Sequence, residues 1–190
     1  MAAAQQVLAV DVVAFGDAAT EAWRYAEEKH SSRAFFTAVV AASPAVVVAE
    51  KADLVRVRKL DAKLYLLKEG KPFAEFPVVF GAQPKGHKQQ EGDERTPEGR
   101  YVLDCKKADS AFFKAIHISY PNAQDMARAK DQGVNPGGAI MIHGQRNRLG
   151  WLSPLAQLVN WTNGCIALTN TDMQAVWEAV DAGTPIEIEP

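Results

Sequence analysis

The hydrophobic period of this chain changes at Asp53, and that change decides which architectures are open to it. Beyond it, Val55 and Val57 alternate with Arg56 and Arg58, and Leu64-Tyr65-Leu66-Leu67 runs through Glu69-Gly70 into Phe73-Ala74-Glu75-Phe76. Alternation by two puts successive side chains on opposite faces of a strand, and a Gly-containing turn between two such runs reads as a hairpin. Pro77 has no N–H for a ladder, so it marks an edge or a bend, and Val78-Val79-Phe80 resumes an extended run up to Gly81. Further strands are predicted at 101–104, 114–119, 139–143 and 185–188.

The flanks are helical. Residues 1–48 are rich in Ala and Val, and Asp17 can cap a helix in which Ala19, Ala22, Trp23 and Ala26 share one face. Near the other end, Thr169-x-x-Asp172 resembles a capping box. Met173, Val176, Trp177 and Val180 form an apolar stripe, and Gly183 followed by Pro185 ends the helix. The expectation is a mainly β fold with flanking helices (α+β): an N-terminal helical segment over 1–48, then one domain over 49–190. A chain of 190 residues buries enough surface, roughly 70% of the unfolded total, to fold without staples.

Composition excludes several functions. A formal charge of −2 with 23% charged residues gives no polyelectrolyte signal, so nucleic acid is not an expected partner. No run approaches the roughly 18 apolar residues of a membrane span. Met1-Ala2-Ala3-Ala4-Gln5-Gln6 lacks a basic stretch ahead of an apolar core, which reads as cytoplasmic or as the scar of a removed signal peptide. His30, His87, His117 and His143 are scattered without ligand spacing, so neither metal nor cofactor is expected. Cys105 and Cys165 sit in unlike contexts, and neither spacing nor size calls for a disulfide.

Two short segments carry chemistry: Ile142-His143-Gly144 and Thr162-Asn163-Gly164-Cys165-Ile166-Ala167-Leu168. A thiol needs a base to become a good nucleophile at neutral pH, and His143 at a strand end is the candidate. Gly144 lets its backbone carbonyl approach the imidazole and orient it. Gly164 permits a tight turn, so that the N–H groups of Asn163, Gly164 and Cys165 can form an oxyanion site. Taken singly, a cysteine or a histidine in an apolar run is most often a packing residue; the combination is far more specific.

The combination resembles the active-site signature of the YkuD-type L,D-transpeptidases: Ile140-Met141-Ile142-His143-Gly144, seventeen residues, then Thr162 to Leu168. Gly92-Asp93-Glu94-Arg95-Thr96-Pro97-Glu98-Gly99 is similar to that family's Thr-Pro-x-Gly loop, and Ser119-Tyr120-Pro121-Asn122 with Asp125 to its peptide-cleaving branch. The resemblance implies a β-sandwich or barrel and a cysteine enzyme acting on peptidoglycan stem peptides in the periplasm or cell envelope. Cys165 would form a thioester with the L-centre of a stem peptide, and His143 would serve as base and then acid. It also implies acylation of the nucleophile by carbapenems. A wall-anchored protein or an amine acceptor would complete the partners.

This chain departs from the family in two places. Thr162-Asn163 stands where members often carry Ser-His, and Ala167 stands where many carry an Arg that can grip a substrate carboxylate. From Leu149 onward there is no Lys or Arg. Arg146 and Arg148 are therefore the candidates for that contact, with Arg95 or Lys88 behind them. Thr96, Tyr120, Asn122 and Thr162 complete the expected substrate-binding set, although Asn122 is also a plausible helix cap. His117 is better read as a packed strand histidine, and Trp151 and Trp161 as core or as aromatic walls. The alternatives are hydrolysis of stem-peptide or wall-protein links within the same family and, from another class, a non-catalytic wall-binding module. A sortase is disfavoured because no Arg follows Cys165.

Overall fold

The computed structural model describes residues 50–148 and 156–190. The helix expected at Asp17 and the residue Trp151 lie outside the described residues. Strands β1 (Leu54–Arg58), β2 (Lys63–Lys68) and β3 (Lys71–Pro77) form an antiparallel meander, with Val55 opposite Leu66 and Val57 opposite Leu64. These four side chains are fully buried while Arg56 and Lys63 face outward, so the alternation does fix the buried face. Pro77 closes β3, which lies at the sheet edge.

The long strand β4 (Gly99–Ser110) turns into β5 (Phe113–Ile118), and helix α1 (Ala123–Gln132) leads to the short strands β6 (Met141–His143) and β7 (Ile166–Ala167). Helix α2 (Asn170–Ala179) then precedes β8 (Thr184–Glu189). The strands of the described residues join one eight-stranded sheet in the order β3-β2-β1-β8-β4-β5-β6-β7. The last strand thus sits at the centre, parallel to β1 and antiparallel to β4.

The sheet curls because one segment touches both of its edges. Just past β3, the Val78 N–H donates to Ala62 O at 2.9 Å, next to β2. Val79 then exchanges both backbone hydrogen bonds with Ala167 of β7, at 3.0 and 2.9 Å. The extended run predicted after Pro77 is therefore a clasp. Inside the curl, Met173, Ala175, Val176 and Ala179 of α2 pack among Leu64, Phe80, Ile116, Ile142 and Ile186.

Helix α1 has a full capping box: the Asn122 side chain accepts from the Gln124 and Asp125 N–H groups, and Asp125 accepts the Asn122 N–H at 3.0 Å. Helix α2 departs from expectation at both ends. Thr169 does cap it, accepting the Asp172 N–H at 3.1 Å, but the Asp172 carboxylate takes the Thr169 hydroxyl, not its backbone N–H. The helix stops at Ala179, with Val180 extended, and Gly183 (φ +96°) serves the turn into β8. No basic residue lies in its last turn; Lys106 from β4 reaches across to the carbonyls of Trp177 and Val180 at 2.6 and 2.7 Å.

Two packing features hold the loop between β3 and β4. Asp125 is buried and accepts from Tyr101 Oη at 2.9 Å and Arg128 at 3.0 Å, with His87 Nε2 3.0 Å away. Burial raises the Tyr101 hydroxyl far above its ordinary pKa, and the hydrogen bond to Asp125 adds to it, so this tyrosine stays a donor. Gly81 leaves no space for a side chain: a Cβ there would lie 1.9 Å from Glu94 O and 2.8 Å from Gly164 N. At Gly164 (φ +113°) a Cβ would lie 2.5 Å from Arg95 O. The backbone of the Thr-Pro loop is wedged between these two glycines.

Asp125→Ala leaves buried donors unpaired and removes half of the capping box, and is expected to cost about 3 kcal/mol in urea unfolding. Gly81→Ala forces the Glu94 carbonyl away and is expected to cost a similar ~3 kcal/mol, with Gly86→Ala, in open surroundings but at φ +81°, losing less.

Candidate active site

Backbone pairing brings His143 and Cys165 to one place. Strands β6 and β7 run parallel with Ile142 opposite Ile166 and His143 opposite Ala167. Side chains two apart share a face, so Met141 and His143 lie on the face carrying Ala167 and, directly before β7, Cys165. His143 and Cys165 are diagonal neighbours, a separation of about 7–8 Å between strand positions that side chains of this length can bridge.

His143 is 5% exposed, with its Nδ1 2.6 Å from Gly144 O. A carbonyl only accepts, so Nδ1 carries the proton and Nε2 keeps its lone pair. Burial pushes the imidazole below its ordinary pKa of 6.5, and the Gly144 carbonyl pulls part of the way back. The neutral base is the resting state. Phe112 and Trp161 enclose the ring at centroid distances of 4.7 and 5.8 Å. Gly144 is a glycine by necessity, because a Cβ would lie 2.7 Å from Asn170 Oδ1 and 3.1 Å from Phe113 Cβ.

The Cys165 thiol is partly exposed, 3.7 Å from Ala139 O. Burial pushes it above its ordinary pKa of 9.0, opposed by the Met141 backbone and by the positive charge of Lys88. A raised thiol and a depressed imidazole are both neutral at rest, so the thiol can become a nucleophile only if its proton moves to a base. Cys105, exposed on β4, is also a free thiol.

Thr162 pins the turn before the thiol. Its hydroxyl donates to Cys165 O at 2.7 Å and accepts the Gly164 N–H at 3.2 Å. Of the three expected oxyanion donors, Gly164 is thus engaged within the turn, whereas the Asn163 and Cys165 N–H groups donate to no partner among the described residues. Asn163 itself is exposed.

The expected substrate-contacting residues separate into two groups. Arg146 and Arg148 are exposed on the loop after His143, which Asn147 ties to the β4–β5 turn through Ser110 O and the Phe113 N–H. Thr96 and Tyr120 are buried; the Tyr120 hydroxyl, its pKa pushed up to about 12 by burial, donates to Pro136 O at 3.0 Å. Asn122 is spent on its helix cap. His117 pairs with Asp104 at 2.7 Å and stands opposite Met141, one strand away on the face that carries His143. Trp161, set against His143, is an aromatic wall of the site.

The sequence reading missed Phe112, Gln145 and Asn170. Asn170 Oδ1 accepts the Gln145 N–H at 2.8 Å, and Gln145 Nε2 donates to Leu168 O at 2.7 Å, which ties the loop after His143 to the start of α2. The one available signal was Asn170 directly after the helix cap. Among the described residues, no three His, Cys, Asp or Glu side chains converge as a metal set.

Comparison with known proteins bears on this arrangement. The family YkuD, described as the L,D-transpeptidase catalytic domain, matches residues 52–188. YafK of Escherichia coli (strain K12), which carries an L,D-transpeptidase name, is 33% identical over 97 residues, covering 50% of this chain and 32% of YafK. The helical cell shape determining protein Pgp2 from Campylobacter jejuni superposes with a TM-score of 0.54 at 29% identity, covering 72% of this chain and 46% of Pgp2. Bd1075 of Bdellovibrio bacteriovorus shares the fold, with a TM-score of 0.51 at 22% identity over 76% of this chain and 52% of its own. The chain spans about a third of the length of the curated relative and about half that of the two structures. With a catalytic-domain match running from the first strand to the last, the chain belongs to the YkuD family of L,D-transpeptidase catalytic domains.

Proposed function

We propose that this domain is a cysteine acyltransferase of peptidoglycan, with Cys165 as nucleophile and His143 as general base. The observation that carries the reading is the commitment of His143 Nδ1 to Gly144 O, which leaves Nε2 as the free basic nitrogen of this ring, on the face shared with Cys165. In the proposed reaction the thiol proton passes to Nε2 as sulfur attacks the amide carbonyl between the L-centre of a stem peptide and the following D-alanine. The Cys165 N–H, with that of Asn163, meets the developing oxyanion, a contact worth about 3 kcal/mol for each donor. Collapse of the intermediate breaks the C–N bond, His143 returns the proton to the leaving amine, and a thioester remains.

An acceptor amine entering next gives a cross-link; water gives trimming. Arg146 and Arg148 are the proposed partners for substrate carboxylates, since both are exposed beside His143. Thr162 is assigned to holding the turn, and Thr96, Tyr120 and Asn122 to shaping the wall that the substrate meets. A peptidoglycan substrate implies the periplasm or cell envelope, and similarity to a cell shape determining protein supports a part in cell shape. Among the described residues no helix is long and apolar enough to cross a membrane.

Hydrolysis is the second reading, favoured by Ala167. It is fully buried between His143 and Val79, so no cation occupies the position next to the thiol. Digested cell walls incubated with the protein are expected to yield new cross-linked muropeptides if an amine is the acceptor. Shortened or detached stems alone would establish hydrolysis.

Intact-mass spectrometry with a carbapenem is expected to detect one adduct on the wild type and none on Cys165→Ala. Equal behaviour of the two would favour the non-catalytic wall-binding module. His143→Gln keeps the ring's volume approximately and is expected to slow acylation at least ~100-fold with the circular dichroism unchanged. Because the base must be neutral and its pKa is depressed, the acylation rate is expected to fall on the acid side with a midpoint below 6.5. The raised thiol predicts no second rise until the pH exceeds 9.0. A single midpoint at 7 or above would contradict the buried-base arrangement.

A further inference from the structure

Behind the nucleophile turn lies a charged pair that this reaction scheme does not use. Lys88 is 3% exposed, and a buried ammonium is costly unless paired and hydrogen-bonded. Its Nζ donates to Asp93 Oδ1 at 2.7 Å and to Gln90 O at 3.1 Å, leaving a third N–H without a partner among the described residues. Asp93 in turn gathers the loop: its carboxylate accepts the N–H groups of Gln89 at 2.6 Å, Gln90 at 3.1 Å and Arg95 at 3.1 Å. Burial acts to raise the Asp93 carboxyl, but Lys88 and these amides outweigh it and hold the group below its ordinary range. It stays ionised at neutral pH.

The segment so fixed is the one wedged against Gly81 and Gly164. Glu94 O and Arg95 O are the atoms that a Cβ at those glycines would strike, and Glu94 O also accepts the Gln83 N–H at 3.2 Å. From the ammonium to the thiol the path is continuous: Lys88, Asp93, the Arg95 backbone, Gly164, Cys165. We infer that Lys88, clamped by Asp93, is a positioning residue that holds the Gly164-Cys165 turn and presents a fixed positive charge to the Cys165 thiolate as it forms. The thiol proton still passes to His143. The Lys88 charge lowers the cost of ionising Cys165, consistent with this placement. Among the described residues, the ionisable groups facing the thiol are Lys88 and Asp93 from the loop, neutral His143 from β6 and, one strand further along the same face, His117 of β5 with its partner Asp104.

The inference rests on Cys165 being the nucleophile, and the test separates the two. Alkylation of Cys165 by iodoacetamide is followed against pH by peptide-resolved mass spectrometry, with Cys105 as internal control. Lys88→Met is expected to move the Cys165 midpoint up by roughly one pH unit. Asp93→Asn is expected to move it down, because the cation loses its counter-charge, and Lys88→Arg to leave it near the wild type. A purely structural pair would shift both neutral variants in the same direction, and that result, or no shift in either, would overturn the inference. Should Lys88→Met fail to fold, Asp93→Asn decides alone: a lower midpoint supports the inference, an equal or higher one ends it. Carbapenem acylation of the wild type reports on the nucleophile separately, since its absence beside a normal alkylation profile removes that reading only.

Discussion

The pair of hydrogen bonds between Val79 and Ala167 is the constraint on which the site depends. Strand β7 is two residues long, too short to hold a position by its own ladder. It is fixed because both of its edges are occupied, β6 on one side and Val79 on the other. Pro77 helps to make this possible, since it closes the edge strand and frees the following residues to cross to the far side of the sheet. Cys165 precedes β7 directly, so the clasp that curls the sheet also sets the place of the thiol.

Around that clasp, hydrogen-bonding capacity is used to hold geometry. The Gly144 carbonyl orients the imidazole, the Thr162 hydroxyl ties the turn at both its ends, and Asn170 anchors the loop that follows His143. Each of these contacts is made before any substrate arrives, which is the condition for electrostatic stabilisation without reorganisation. The three glycines at 81, 144 and 164 mark where backbone or side-chain oxygens approach too closely for any Cβ. Only Gly164 among them also needs a positive φ.

Much of the fold was legible because burial of one face imposes a period of two. Val55, Val57, Leu64 and Leu66 declared themselves in this way, and so did the stripe of Met173 and Val176. Strand β7 was invisible because two residues cannot display a period, and the second half of β4 because Cys105 to Ser110 is largely exposed on both faces. Of the site, the His-Gly and Gly-Cys segments were readable as local chemistry, and Gly144 as the group that orients the ring. Phe112, Gln145 and Asn170 were not, since their roles arise from contacts across 23 to 31 residues that no local pattern encodes. Asn122 shows the converse: a polar residue beside a motif, whose side chain is absorbed by its own helix.

The position of β8 bears on how the domain comes into being. In the sheet order, β3-β2-β1 and β4-β5-β6-β7 adjoin through β8, the isolated bridges after β3 aside, and Val55 pairs with Ile186 across 131 positions of sequence. During synthesis the chain must therefore wait for its last strand before the two halves can merge into one sheet. Until then, the inner edges of β1 and β4 stand open, each offering unpaired backbone groups to other chains. Such long-range closure slows folding and makes the nascent molecule prone to aggregation. It also makes the domain cooperative: with the keystone strand absent, neither half retains a closed sheet on which a clasp could position the thiol.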